Sequence, residues 1–367
     1  MIKFAFSAQN LKRGITMVKL VKPTSGDFVV RFGTNVATFY SADKRRVALI
    51  NVMADDAPEL ESGWKSDEFC IPAAKMALFE SNLDSVTFSL AENSMVIHAS
   101  EGGQTRKATI KRRSDSTRRN MIPTIKCGTP TLVDATNFGK LLRVVGCSAL
   151  VRETKTEEEM RVNQVHFHAD SESASANARY HASTARMDGM KLDLSIIGSD
   201  IPPIRSFCAK LDGSVGLFQD KNKLYVTDIQ TDSVLVFSRV TATKQDFDPP
   251  SDEFQIEATL SKEQLLNGLN WALAALDGTQ RLSCDAGAGM LKMSNNGEIF
   301  SMPITFQAGT SFQADLPAKF LRSTVDHVDS DDVKIKFGHP KFPSIMEVSD
   351  PGSGVQVHHY LQVMRSR

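Results

Sequence analysis

The chain states one design three times at equal intervals. "FSAQNLKRGITMVKL" opens on Ser7, a good helix N-cap, and then sets Leu11, Ile15 and Val18 on one helical face. "VDATNFGKLLRVVGCSAL" does the same from Asp134, with Phe138 and Leu142 four and eight residues on. "LSKEQLLNGLNWALAAL" does it again from Ser261, with Leu265 and Leu269 at those offsets. The caps lie 127 and 127 residues apart. Whatever unit one cap opens must therefore be built three times.

A second element keeps step with the first. A short apolar stretch leads into a helix with proline in its first turns: "FCIPAAKMALFESNL" (Pro72), "SIIGSDIPPIRSFCAKL" (Pro202, Pro203) and "FQADLPAKFLRSTVDHV" (Pro317). Proline is tolerated there because those N–H groups lack an intrahelical partner. Alternating apolar residues follow each time: Val86, Phe88, Leu90; Val215, Leu217; Val333, Ile335, Phe337. Further strand-like runs, such as "FVVRFGTNVATFYS", "VNQVHFHAD" and "MLKMSNN", lie between the two helices of each unit. "SADKRRVA" (41–48) and "SANARYHA" (175–182) match in spacing, each after an apolar strand. The expected fold class is α+β: three similar units, 1–127, 128–250 and 251–367, each with two helices and antiparallel strands. The boundaries fall at turn-rich "TIKCGTPTL" and "KQDFDPPSDEF".

Composition narrows the function class. With 41% hydrophobic and 23% charged residues the chain can build real cores. It has no apolar run long enough to span a membrane and no secretory pattern at "MIKFAFSAQN", so a cytoplasmic protein with no membrane partner is expected. Cys70, Cys127, Cys147, Cys208 and Cys284 are far apart and form no CxxC, which argues against zinc or a disulfide framework. The net charge of zero hides a gradient. Residues 1–127 hold 19 Lys and Arg against 13 Asp and Glu, residues 128–250 hold 14 against 16, and residues 251–367 hold 10 against 14. A basic end and an acidic end suit head-to-tail association with a second copy.

Nothing in the sequence composes a catalytic centre. His166, His168 and Asp170 in "VHFHAD" share one face of a strand and could ligate a metal, but ordinary polar surface is the simpler reading. His358 and His359 are adjacent, face opposite ways on a strand and make a poor chelate. No GxxxxGK[ST] or GxSxG occurs. The chain is expected to be no enzyme and to need no cofactor or metal.

The repeat order, the spacing and the total length together resemble the bacterial-type DNA polymerase sliding clamp, or beta clamp. "NQVHFHADSESASANARYHAS" resembles the clamp stretch that leads to an ATDGHRLA-type motif. "SNNGEIFSMPITFQAGTSFQADLPAKFLRS" resembles the third domain's turn, strand and helix. "VKIKFGHPKFPSIMEV…YLQVMRSR" resembles the final strands and a YxVMPMRL-type tail. The resemblance implies a head-to-tail homodimeric ring that encircles duplex DNA and tethers a polymerase without catalysis. It implies a dimer interface at "TRKATIKRRSDSTRR", with Arg106, Lys107, Lys111 and Arg112 (and Arg113 beside them), facing Glu298 and nearby third-domain acids.

A ring that slides needs phosphate affinity without base reading, which Lys and Arg on short helices supply. The candidates are Lys12, Arg13, Lys19, Lys22, Lys75, Lys140, Arg143, Arg205, Lys210, Lys319 and Arg322, with Lys262 on the third opening helix and Arg152 beside the acidic run "RETKTEEEM". The resemblance further implies a groove for short peptides of polymerases and the clamp loader, at Tyr180, His181, Ala182, Phe247, Pro249, Val363, Met364 and Arg365. Here Arg179 stands near the motif's glycine, Ala182 replaces its leucine, and the tail reads VMRSR. Such divergence fits a clamp encoded by a virus or plasmid. Two other readings stay open: a repeat-built structural or virion protein, and a metal enzyme on His166, His168 and Asp170.

Overall fold

The computed structural model describes residues 2–56, 68–79, 83–91, 93–111, 122–149, 163–178, 181–240, 253–275, 281–295, 298–341, 345–350 and 355–362. Five α-helices are described: α1 (Ala8–Val18), α2 (Ala135–Gly146), α3 (Ile201–Cys208), α4 (Lys262–Ala275) and α5 (Ala318–Asp326). The Ser7 side chain accepts from Asn10 N–H and caps α1, and Ser261 accepts likewise from Gln264 N–H at the start of α4. Leu11, Ile15 and Val18 form the buried stripe of α1; Phe138, Leu141, Leu142 and Val145 form that of α2. Pro202 and Pro203 lie in the first turn of α3, and Pro317 precedes α5. The segment after Pro72 is a 3-10 helix, Ala73–Phe79. Its buried residues, Met76 and Phe79, are three apart, the period of that helix.

One element order recurs three times: strand, helix, three strands, strand, helix, three strands. The third copy adds a short strand, Thr305–Ala308. The register confirms the equivalence of the copies. The cap residue of each first helix pairs with the first residue of the strand after the second helix: Ser7 with Ser85, Asp134 with Ser214, Ser261 with Asp332. The fold class is α+β with antiparallel sheets.

By contacts the chain divides into two units, the first being Met1–Thr136 with Pro202–Arg239 and the second Asn137–Ile201 with Val240–Arg367. The middle copy contributes to both. In the first unit an eight-stranded sheet runs in the order Glu68–Pro72, Asp27–Phe32, Val36–Ala42, Arg46–Met53, Ser233–Ser238, Lys223–Asp228, Ser214–Gln219, Thr131–Asp134. A four-stranded sheet runs Ile2–Ser7, Ser85–Ala91, Ser94–Glu101, Gln104–Lys111. Phe4, Phe32, Phe69 and Phe88 meet in its core. α1 lies on strand Arg46–Met53 so closely that a Cβ on Gly14 would come within 2.3 Å of a Val52 methyl.

In the second unit a nine-stranded sheet runs Ser195–Ile197, Gln164–His168, Ser173–Ala178, His181–Arg186, Gln356–Gln362, Ile345–Ser349, Asp332–Phe337, Ile256–Ser261, Thr305–Ala308. A four-stranded sheet runs Glu298–Pro303, Met290–Asn295, Arg281–Gly287, Ser311–Pro317. α4 and α5 pack together over a core that includes Leu265, Leu269, Met293 and Leu321. Each larger sheet thus contains one seam between consecutive copies. The first seam joins Arg46–Met53 to Ser233–Ser238, and the second joins His181–Arg186 to Gln356–Gln362.

Candidate nucleic-acid and partner-binding surfaces

The helical cations follow from the apolar stripes: a helix that buries one face leaves the others for charge. Lys12 on α1, Arg205 on α3 and Lys319 on α5 are exposed. α1 is shorter than the sequence suggests. Lys19 is its C-cap, and the exposed Lys22 lies beyond it, where Pro23 cannot continue a helix. Lys210 likewise sits just past the end of α3. Lys75 is partly buried and donates to the Thr109 carbonyl at 3.0 Å, and Lys262 donates to the Val328 carbonyl.

Several candidates have acidic partners. Arg13 faces Asp212 at 3.6 Å and Asp228 at 3.8 Å. Lys140 and Arg143 both bind the carboxylate of Asp329, and Arg143 also donates to the His327 carbonyl at 3.3 Å. Partial burial works to raise the Asp329 carboxyl, but the hydrogen bonds from Lys140 and Arg143 outweigh it and hold the carboxyl below the usual range. Arg322 Nε donates instead to the neutral Asn270 Oδ1 at 2.8 Å. Arg152 and the acidic run 152–160 lie outside the described residues.

Of the peptide-groove candidates, His181 and Ala182 are described and both are buried. They open the strand at the second seam, His181 opposite Leu361 and Ala182 opposite Tyr360. Tyr180, Phe247, Pro249, Val363, Met364 and Arg365 lie outside the described residues, as does Arg179. What sequence reasoning missed is the chemistry beneath this end of the seam. Ser183 Oγ is 2.7 Å from His359 Nδ1, 3.3 Å from His181 Nε2 and 2.5 Å from Ser148 Oγ. Thr324 Oγ1 from α5 is 3.2 Å from His181 Nε2, and the Phe320 ring lies 5.9 Å from the His181 ring. All five polar residues are buried. Burial pushes the His181 imidazole down to about 3, helped by nearby His327, and holds His359 well below its usual value. The pair is neutral. His358 points the other way and meets Glu347 Oε1 at 3.0 Å.

The proposed interface residues lie on two outer strands. Gln104–Lys111 ends the four-stranded sheet of the first unit, and its Arg106, Lys107 and Lys111 are exposed, Arg106 pairing with Glu101 at 2.5 Å. Glu298–Pro303 ends the four-stranded sheet of the second unit. Glu298 is exposed, and next to it Ile299 is 64% exposed, an unusual place for isoleucine. Arg112 and Arg113 lie outside the described residues.

The metal reading finds no geometry. His166 Nδ1 meets Ser195 Oγ at 2.7 Å and His168 Nε2 meets Ser175 Oγ at 2.9 Å. Among the described residues no group of three His, Cys, Asp or Glu could hold a metal ion, and no helix is long and apolar enough to cross a membrane.

No protein-family model matches the chain, and no curated protein matches its sequence. Solved structures match its fold over the whole length. The DNA polymerase III beta subunit of Thermotoga maritima aligns with a TM-score of 0.79 at 13% identity, covering 100% of each chain. The DNA polymerase sliding clamp of Pseudomonas aeruginosa aligns at 0.80 and 12%, again over 100% of each chain. The DNA polymerase sliding clamp of Caulobacter crescentus aligns at 0.76 and 14%, with 100% of each chain covered. Identity this low speaks for architecture alone, and the architecture of this chain is that of the bacterial DNA polymerase sliding clamp, the beta subunit of DNA polymerase III.

Proposed function

We propose that the chain is a DNA sliding clamp. Three clamp domains, 1–127, 128–250 and 251–367, close head to tail with a second copy into a ring around duplex DNA. The ring tethers a polymerase and catalyses nothing. It acts in the cytoplasm, where bacterial DNA is copied, and the groove at the second seam takes the peptides of polymerase and clamp loader.

The arrangement of the seams carries this reading. At each seam inside the chain, the first residue of one strand pairs with the next-to-last residue of the other: Arg46 with Phe237, His181 with Leu361. The third copy's equivalent strand, Glu298–Pro303, is an outer strand, and so is the first copy's last strand, Gln104–Lys111. An outer strand offers unpaired N–H and C=O groups to another chain. The same rule sets Glu298 opposite Ile110 of a second copy, Ile299 opposite Thr109, and Phe300 opposite Ala108. Faces agree under this register. Ile110 and Met302 are buried and Ala108 and Phe300 partly so, all on the inner side, while Ile299 and Thr109 are exposed. Lys111 comes beside acidic Glu298, and the charge gradient between the two ends favours the pairing.

Two experiments test it. Ile299→Cys with Thr109→Cys, in a chain lacking the exposed Cys127, is expected to form a covalent dimer on oxidation. Light scattering is expected to give twice the chain mass. A monomer that does not cross-link would sink the ring. Once loaded on a nicked circle, the protein is expected to stay until the circle is linearised; equal loss from both forms would count against encirclement.

A further inference from the structure

The acidic partners of the helical cations recur in step with the repeat. Arg13 and Lys140 are the same position, six residues after the caps Ser7 and Asp134. Each meets an aspartate in the turn between a second helix and its following strand. Asp212 stands two residues before Ser214–Gln219, and Asp329 stands three before Asp332–Phe337. Asp329 takes Arg143 as well. The third copy breaks the rule: its residue at that position is Asn267, and Arg322 is held by an amide.

Stability alone does not account for this arrangement. The Asp212 side chain is 86% exposed and that of Asp329 41%, while Arg13 at 31%, Arg143 at 30% and Lys140 at 17% are more sheltered. An ion pair whose acid stands in solvent is screened, and surface pairs typically add about 1 kcal/mol or less. Their effect on a phosphate is larger in kind. A cation already facing a carboxylate must exchange one anion for another, and the released carboxylate then repels the duplex.

We propose that Asp212 and Asp329 are built-in counter-ions that hold Arg13, Lys140 and Arg143 back from phosphate, so that the first two copies grip duplex DNA weakly enough to slide. This rests on the clamp reading. The third copy, with Asn267 at the cation position and Arg322 held only by an amide, supplies the firmer hold through Lys319 and Arg322.

The test is binding of a short duplex by fluorescence anisotropy across a series of salt concentrations, with the full-length chain. Each cation released to phosphate steepens the salt dependence by about 0.9 in log–log slope. Asp329→Asn frees two cations and is expected to steepen the slope by about 1 to 2 and to bind several-fold tighter at low salt. Asp212→Asn is expected to do less, because Arg13 keeps Asp228. Asp326→Asn removes an exposed acid on α5 and controls for charge alone. A double-mutant cycle adds a second readout. Lys140→Gln with Arg143→Gln is expected to lower affinity more in the Asp329→Asn background than in the wild type. A slope for Asp329→Asn equal to that of Asp326→Asn would overturn the proposal. So would a fall in melting temperature with an unchanged slope, which would leave the pairs as a structural latch. Equal loss of the loaded wild-type chain from a nicked circle and from its linearised form would instead remove the clamp reading, and this inference with it.

Discussion

The two seams inside the chain have the same topology and differ in one chemistry, the buried histidines of the second. At the first, Ala48 faces Leu235 and Arg46 faces Phe237, with Ala48, Leu235 and Phe237 fully buried. At the second, Ser183 faces His359 and His181 faces Leu361, and hydroxyls from Ser148 and Thr324 close in from the helical side. The first combines non-directional burial, which tolerates changes of similar volume, with hydrogen bonds of Asn51 to Ser233 at one end and of Ser238 to the Arg45 carbonyl at the other, none of them to an imidazole. The second is held by hydrogen bonds that require particular partners at particular angles. The fold therefore does not need imidazoles at a seam. Their presence at the second, next to the proposed peptide groove, makes that seam the one whose stability depends on solution conditions.

Acid should separate the seams most. The His181 imidazole titrates at about 3 when folded and near 6.5 when unfolded. Between those values the unfolded chain binds more protons, so stability is complete above pH 6.5 and drains away as pH falls toward 3. The expected slope is about 1.4 kcal/mol per pH unit for His181, with His359 adding in the same direction. Hydrogen exchange at neutral and mildly acid pH should show Gln356–Gln362 losing protection while Ser233–Ser238 keeps it. Equal loss at both seams would break the comparison. His181→Leu with His359→Leu should flatten the difference.

Truncation comes next. Leu235→Ala empties a fully buried site at the first seam and is expected to cost about 2–5 kcal/mol by chemical denaturation. That loss should be the same at neutral and mildly acid pH, because Leu235 and Ala48 opposite it carry no titratable group. A pH-dependent loss would show that the apolar seam is coupled to the histidines.

How much of this was legible in the chain follows from the range of each interaction. The helix starts were, because a cap and its stripe are local: Ser7 with Leu11, Ile15 and Val18, or Ser261 with Leu265 and Leu269. The prolines marked the second helices for the same reason. The seams were not, since the register that sets His181 against Leu361 joins strands far apart in sequence, and one slipped residue would turn every side chain over. The cations on α1 and α2 could be read as off-stripe residues. Their partners, Asp212 and Asp329, could not, because the turns that carry them are placed by the whole fold. The histidine pair illustrates both sides. The alternation of His358 and His359 between faces was readable, whereas the contact of His359 with His181 spans 178 residues.

The smallest expected effects come from two buried serines, and they isolate what a polar seam adds. Ser41 Oγ donates to the Val21 carbonyl at 2.6 Å and has no titratable group as partner in that bond. Ser183 bridges Ser148, His181 and His359. Both side chains are 1% exposed or less. Ser183→Ala strands two buried polar groups and is expected to cost about 1–3 kcal/mol. Ser41→Ala removes a single ordinary hydrogen bond, for which about 1 kcal/mol is expected. The sharper distinction is in sign with pH. Without Ser183 the neutral His359 loses a partner, so the gap between folded and unfolded titration changes and the pH slope of stability must change with it. Ser41→Ala should shift the whole stability–pH curve down without altering its shape. If both substitutions give parallel curves, the second seam's hydroxyls are packing rather than partners of the histidines, and the difference between the seams reduces to the imidazoles alone.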